Sequence, residues 1–334
     1  MSRFLIKTVT FILFSLCLLY SFDYIITKGL RKNKSNVFVD WNRIFNGEIK
    51  SNLIINGSSI AEIQISPCIL DSVLKVDSYN FGMSGFSFYM QKARYDIFLE
   101  HNAAPEIIIQ IVGDATLHKE DGMFQIDQFL PYLDDSIILK TTHDYKDLNY
   151  LDYHLPFIRY FGKTNTIFKG LASFFNIELI KSIKYKGYAS NDLKWDNNFE
   201  KFKKINQEGK KMEITGTYLT LFKKFVQEES QKGRCVIIVF PPTYYLLKNY
   251  ILNRDELIAT YKSIANENNL LFLDYSQSEF SINRDYFYNA THLNRKGSEL
   301  FSRKLASDIK KQIHFSKLHA SGISPKVLET TVIQ

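Results

Sequence analysis

Cysteine is scarce in this chain, with three in 334 residues at positions 17, 68 and 235. No two of them have the spacing of a zinc site, and three thiols build no disulfide framework. Cys17 lies within an apolar run and Cys235 opens a hydrophobic segment, so each reads as a small packed hydrophobe. The seven histidines show no metal-ligand spacing either, and no structural or catalytic metal is expected. A Walker A loop and a glycine-rich dinucleotide fingerprint are also missing, which argues against nucleotide use and leaves no cofactor expected. Internal repeats and low-complexity tracts are absent. Charge is only mildly unbalanced: 42 Lys and Arg against 35 Asp and Glu give a formal +7. The lysines are densest over residues 181–186 and 201–211, with no zinc-finger, RNA-recognition or helix-turn-helix signature, so nucleic acid is not an expected partner. A solvated face is the simplest reading of this charge; an anionic glycan or membrane surface also fits.

What is present is ample core material, 45% hydrophobic residues, enough for one large α/β domain or two small ones. The N-terminus carries the clearest targeting signal. Residues 8–22 are uncharged and rich in Phe, Leu and Ile, Arg3 and Lys7 stand before them, and residues 4–6 and 24–26 extend the run. No small-x-small cleavage site follows, and Leu16 before Cys17 does not suit a lipoprotein. The expectation is an uncleaved signal anchor, a transmembrane helix over residues 1–30, then a linker over 31–50 leading into the folded domain. Lys28, Arg31, Lys32 and Lys34 roughly balance the charges before the run, so flanking charge leaves the orientation open.

Beyond the linker, short apolar segments alternate with helical spacing. Strands are predicted at residues 52–56, 77–81, 106–112, 234–240 and 270–274, and residues 136–140 read as a further strand or an edge. Helices are predicted over 87–102, from Tyr218 past Phe225, over 255–268, and from a cap at Asn294 to about residue 313. Buried strands alternating with helices imply a three-layer α/β/α fold, a flavodoxin-like, mostly parallel sheet over residues 51–315. Residues 141–211 interrupt it as an insertion rich in aromatics, among them Tyr145, Tyr153, Tyr160, Phe161, Phe168 and Trp195. A helical insertion with an aromatic core fits these residues, and so does a lid or a glycan-binding wall. Residues 316–334 are left as a C-terminal tail.

In a parallel sheet, ligands sit at the carboxyl ends of the strands. Those positions hold Gly57-Ser58-Ser59, Asn80-Phe-Gly-Met-Ser-Gly85, Gly113-Asp114-Ala115-Thr116 and Pro241-Pro242-Thr243; the loop before the last helix contains Asn289-Ala-Thr-His292. Ser59 suits a nucleophile on a strand-to-helix turn, but a serine N-cap has the same signature. His292 could be a base, or a core or capping histidine. Asn80 and Gly85 could simply form a turn. Asp285 and Asp274 are further carboxylates that could serve His292.

This ordered set resembles the SGNH (GDSL-type) hydrolase superfamily. More closely, it resembles the membrane-anchored branch related to the D-alanyl-transfer protein of teichoic acids and the alginate O-acetylation proteins. The resemblance runs from about residue 52 to 313, interrupted by the insertion. It implies Ser59 as nucleophile, Gly85 N–H beside Ser59 N–H as oxyanion donors, and His292 as base, with Asn80 and Asp114 near the site. Asn289 stands where the family has an Asp, and no Asn follows Gly113 where the family has its third oxyanion donor. An amide oxygen can still hold an imidazole N–H, without the charge that stabilises imidazolium. By resemblance the chain is an extracytoplasmic, membrane-anchored esterase or acyltransferase. Its implied partners are a surface or exported polysaccharide and a membrane-bound acyl-transfer protein. A catalytically weak or inactive relative that binds glycan or scaffolds an export complex is the alternative.

Overall fold

Five short apolar segments carry the sheet. In the computed structural model, which describes residues 2–313, they are β1 (Leu53–Ser58), β2 (Ser78–Met83), β3 (Ile107–Ile111), β4 (Cys235–Phe240) and β5 (Leu271–Asp274). Every pairing is parallel, in the order β2-β1-β3-β4-β5. Parallel strands require crossovers that cover both faces, which is why β3 is a run of Ile and Gln with all its residues buried. The strand order reverses at β1, so the ends of β1 and β3 flank the crevice where such sheets hold ligands.

Helices fill the connections. α1 (Ser2–Leu30) and α2 (Val39–Phe45) precede β1, α3 (Ser59–Gln64) and α4 (Pro67–Leu74) follow it, and α5 (Phe88–His101) joins β2 to β3. The long passage to β4 contains α6 (Ser136–His143), α7 (Tyr150–His154), α8 (Thr164–Phe174), α9 (Asn198–Ile205) and α10 (Gly216–Gln231). α11 (Arg254–Glu267) leads to β5, and α12 (Glu279–Ile282) and α13 (Arg295–Gln312) close the described chain. On one face, the start of α5 packs with α10 and α11 through rings: Phe88 lies edge-on to Phe222 at 4.8 Å, and Phe222 edge-on to Tyr261 at 5.7 Å. Another layer joins α3 to α13, whose Ser298 and Ser302 hydroxyls donate to Gln64 O at 3.2 and 3.1 Å.

The chain divides into two compact units. Among the described residues, the smaller takes 2–48, 96–101 and 121–183; the larger takes 49–95, 102–120 and 184–313, including the whole sheet. In the smaller unit, Phe45 stacks on Tyr132 at 4.3 Å and Trp41 meets Phe129 edge-on at 5.7 Å. Residues 136–140 begin α6 and do not form the strand or edge read from the sequence. Asp135 Oδ1 accepts the N–H groups of Ile137 and Ile138 at 3.0 and 2.9 Å, an N-cap that starts a helix in a run too short for periodicity to classify. Of the predicted insertion, residues 141–183 belong to the smaller unit and 184–211 to the larger. In the larger unit its rings are core: Trp195 packs on Tyr244 at 4.7 Å and Phe199 on Tyr250 at 5.9 Å. The tail over 316–334 lies outside the described residues.

α1 is long and apolar enough to cross a membrane: its 28-residue stretch from Arg3 to Leu30 spans ~42 Å at 1.5 Å per residue. Cys17 is exposed on it, contrary to the packed position expected from the sequence. Cys235 is partly buried at the head of β4, where burial pushes its thiol up to about 12.

Candidate active site

Strand β1 ends at Ser58, and the chain turns directly into α3. The capping role expected of a serine here falls to Ser58, whose Oγ accepts from Ile60 N at 3.3 Å. Ser59 is thereby free to face outward. Its Oγ lies 2.8 Å from His292 Nε2, 233 residues further along the chain.

The loop carrying His292 is pinned on every side. Phe287 pairs with Leu293, Tyr288 N donates to His292 O at 3.1 Å, and Gln64 of α3 donates to Thr291 O at 2.7 Å. The Tyr288 ring stacks on the imidazole, with centroids 5.5 Å apart. Asn289 Oδ1 gathers the turn by accepting from Thr291 N (3.0 Å), Thr291 Oγ1 (3.1 Å) and His292 N (2.9 Å). Two backbone N–H groups aimed at one amide atom require that atom to be the oxygen, which settles the orientation of the amide. His292 Nδ1 lies 3.1 Å from the same oxygen. Facing an acceptor, Nδ1 carries the proton, and Nε2 presents its lone pair to the Ser59 hydroxyl. The tautomer is that of a base. Burial lowers the His292 pKa to about 4, partly offset by the charges of Glu62 and Asp196, so the ring is neutral at ordinary pH. Asp285 and Asp274 play no such part: both are exposed, and Asp274 Oδ1 accepts from Ser276 N.

The dyad opens on a cleft of about 290 Å³ lined by Gly85, Phe86, Ser87, Ala115, Thr116, His118 and Glu120 among others. Gly85 has a φ of 80°, a left-handed conformation that glycine adopts without strain. The turn that carries it is tied to α3, because Ser84 Oγ donates to Glu62, whose other carboxylate oxygen lies 2.6 Å from Lys184 Nζ. Ser59 N–H is the first of α3, where a helix offers no internal acceptor. Ser59 and Gly85 both line the cleft.

Two residues expected near the site stand back from it. Asn80 is fully buried and acts as a brace: its Nδ2 donates to Ala61 O (2.7 Å) and Ile65 O (2.8 Å), and its Oδ1 accepts from Gly82 N (2.8 Å). Asp114 turns its carboxylate to Arg254, Oδ1 lying 3.2 Å from Nε. Burial raises the Asp114 pKa against the opposing pull of Arg254. Ala115 offers the cleft only a methyl group, while Ser87 and His118 also line it. Thr116 Oγ1 is engaged, accepting from Gly113 N at 2.8 Å.

Sequence reading missed several residues here. Glu62 and Lys184 form a pair 122 positions apart, and Thr291, 3.0 Å from His292 Nδ1, looks like an ordinary loop residue. Ser87, His118 and Glu120 reach the cleft wall from outside every motif. For a metal, the described residues bring Glu100, His101 and Asp135 of the smaller unit within 4.8 Å of one another. Asp135 there already caps α6, and none of the three belongs to the Ser59 cleft.

No family model and no curated protein matches the sequence. Among solved structures, a Streptococcus pneumonia protein proposed to be a platelet activating factor aligns at 10% identity and a TM-score of 0.40, over 91% of this chain and 97% of that one. A Bacteroides fragilis protein proposed to be an acylhydrolase aligns at 13% identity and a TM-score of 0.36, over 78% and 86% of the two chains. The cleft stands on its own distances.

Proposed function

We propose that this chain is a serine-dependent O-acyl esterase or acyltransferase, anchored by α1 and acting on a cell-envelope polysaccharide on the extracytoplasmic side. The observation that carries the chemistry is the 2.8 Å contact between Ser59 Oγ and the acceptor nitrogen of His292, whose other nitrogen faces Asn289. The envelope, the polysaccharide and a membrane-bound partner that supplies acyl groups come from the resemblance of the motifs.

In the first half-reaction Nε2 takes the hydroxyl proton as Ser59 Oγ bonds to the ester carbonyl carbon. The oxyanion forms against the N–H groups of Ser59 and Gly85. Collapse of the tetrahedral intermediate expels the alcohol, which takes the proton back from Nε2, and leaves acyl-Ser59. In the second half-reaction His292 deprotonates water or a sugar hydroxyl as it attacks the acyl carbon; the bond to Ser59 Oγ then breaks and the serine takes the proton back from Nε2. Water gives the free acid; a sugar gives a new ester.

A second reading is a weak or inactive glycan-binding or scaffolding protein. It is favoured by Asn289, which brings no charge to the imidazolium, and by Ala115, which brings no donor. Hydrolysis of p-nitrophenyl acetate by the full chain in detergent separates the two. The enzyme reading expects turnover that disappears in Ser59→Ala. Turnover unchanged in that variant contradicts the assignment of Ser59, and glycan binding without turnover or serine labelling establishes the second reading.

A further inference from the structure

The end of α1 is built into the smaller unit. Asp23 is nearly fully buried, pairs with the Arg159 guanidinium and accepts from Phe157 N at 2.8 Å. One turn on, Thr27 shares a 2.7 Å hydrogen bond with the Tyr160 hydroxyl. α8 then packs on α1 so closely that a Cβ on Gly29 would lie 1.8 Å from Gly170 O, and one on Gly170 would lie 2.9 Å from Ile26 O. The anchor and α7–α8 are therefore one rigid body.

The register of that packing has a consequence for depth. Residues 4–22 of α1 rise ~28 Å, about the thickness of a bilayer core, which puts Asp23 at its boundary. Gly170 meets Ile26, and the backbone N of Phe174 approaches Gly29, so α8 runs in the same direction as α1. Walking back from Gly170 along α8 therefore leads toward the membrane. Phe168, 60% exposed, and Phe161, 76% exposed and next to the Tyr160 that bonds Thr27, fall within about one helical turn (~6 Å) of the level of Asp23, in the headgroup layer. Leu151 of α7 and Leu155 just past its end are exposed; Lys163, paired with Asp127 at 3.2 Å, follows Phe161, and Lys169 follows Phe168. Apolar side chains beside lysines at the edge of a span suit the boundary between headgroups and acyl chains.

We infer that the segment from α7 through the first turns of α8 forms a lipid-docking wedge. Phe161 and Phe168, with Leu151 and Leu155, enter the bilayer interface around α1, so the protein is seated on the membrane as well as tethered to it. This rests on reading α1 as a membrane span. Depth is measured on the full chain with its three cysteines replaced by serine, in vesicles of phosphatidylcholine and phosphatidylglycerol. A spin label is placed in turn through Phe161→Cys, Phe168→Cys and Phe11→Cys, and its accessibility to oxygen and to a water-soluble nickel chelate is compared. The wedge predicts that labels at 161 and 168 are severalfold less accessible to nickel than a label placed through Lys248→Cys on the larger unit in the same vesicles, with oxygen access approaching that at 11. A label at 11 shielded from nickel while those at 161 and 168 stay fully accessible overturns the wedge and keeps the anchor. Nickel access at 11 as well overturns both. Neither result touches Ser59, whose turnover is read separately.

Discussion

The two walls of the Ser59 cleft solve the same problem differently. On the β1 wall, Ser59 and His292 are positioned by neutral hydrogen bonds: Ser58 caps α3, Asn289 orients His292, and Gln64 holds the loop. On the β3 wall, the run Gly113-Asp114-Ala115-Thr116 puts its polar groups into the protein. Asp114 goes to Arg254, Thr116 accepts from Gly113 N, and Tyr261 donates to Gly113 O at 3.1 Å. One wall turns polar groups toward the cleft, and the run after β3 turns its own toward the core. The cleft brings Ser59 and His292 into contact beside Gly85, and on the β3 side Ala115 contributes only a methyl group.

The largest expected effect breaks the first wall. His292→Ala should lower ester turnover by about 10²–10⁴-fold, the contribution of a positioned base, with folding intact by circular dichroism. The second wall breaks differently. Arg254→Met leaves Asp114 buried without its cation and should cost about 3–5 kcal/mol of stability, read as a fall in Tm, and a double change with Asp114→Leu should recover much of it. Ala115→Asn tests whether the walls can be made alike. A new amide donor in the cleft should raise kcat by up to about 10²-fold, and no gain would mean that this wall lies too far from the oxyanion. The smallest effect is a shift in pH dependence. With His292 held near 4, the acid limb of kcat/KM should fall well below the ordinary histidine range, and Asn289→Asp should move it upward by stabilising the imidazolium. The sign for stability follows from the same lowered pKa. The unfolded ring binds a proton near 6.5 and the folded one only near 4, so stability falls as pH drops through that window.

The difference between the walls also explains what was legible in the sequence. The strands could be read because β1, β3 and β4 are continuous apolar runs, and the order of site residues could be read because each sits immediately after a strand. Ser59, Gly85 and His292 sit on short local turns that line one cleft. The β3 wall could not be read, because the orientation of Asp114 depends on Arg254, 140 positions away, and no local pattern reports that partner. Residues 136–140 failed for a similar reason: a short apolar run fits either a strand or a helix until Asp135 caps it. The aromatic stretch over 141–211 was visible as a break in alternation. Its division between two units depends on distant packing that spacing does not encode.

The central claim is that Ser59 is a nucleophile activated by His292, and it is tested most directly by covalent labelling. The full chain is treated with a fluorophosphonate at neutral pH, digested and mapped by mass spectrometry. The account predicts one modified peptide carrying the adduct on Ser59, absent from Ser59→Ala and strongly diminished in His292→Ala. An unlabelled Ser59 in the folded protein, or equal labelling with and without His292, would contradict it.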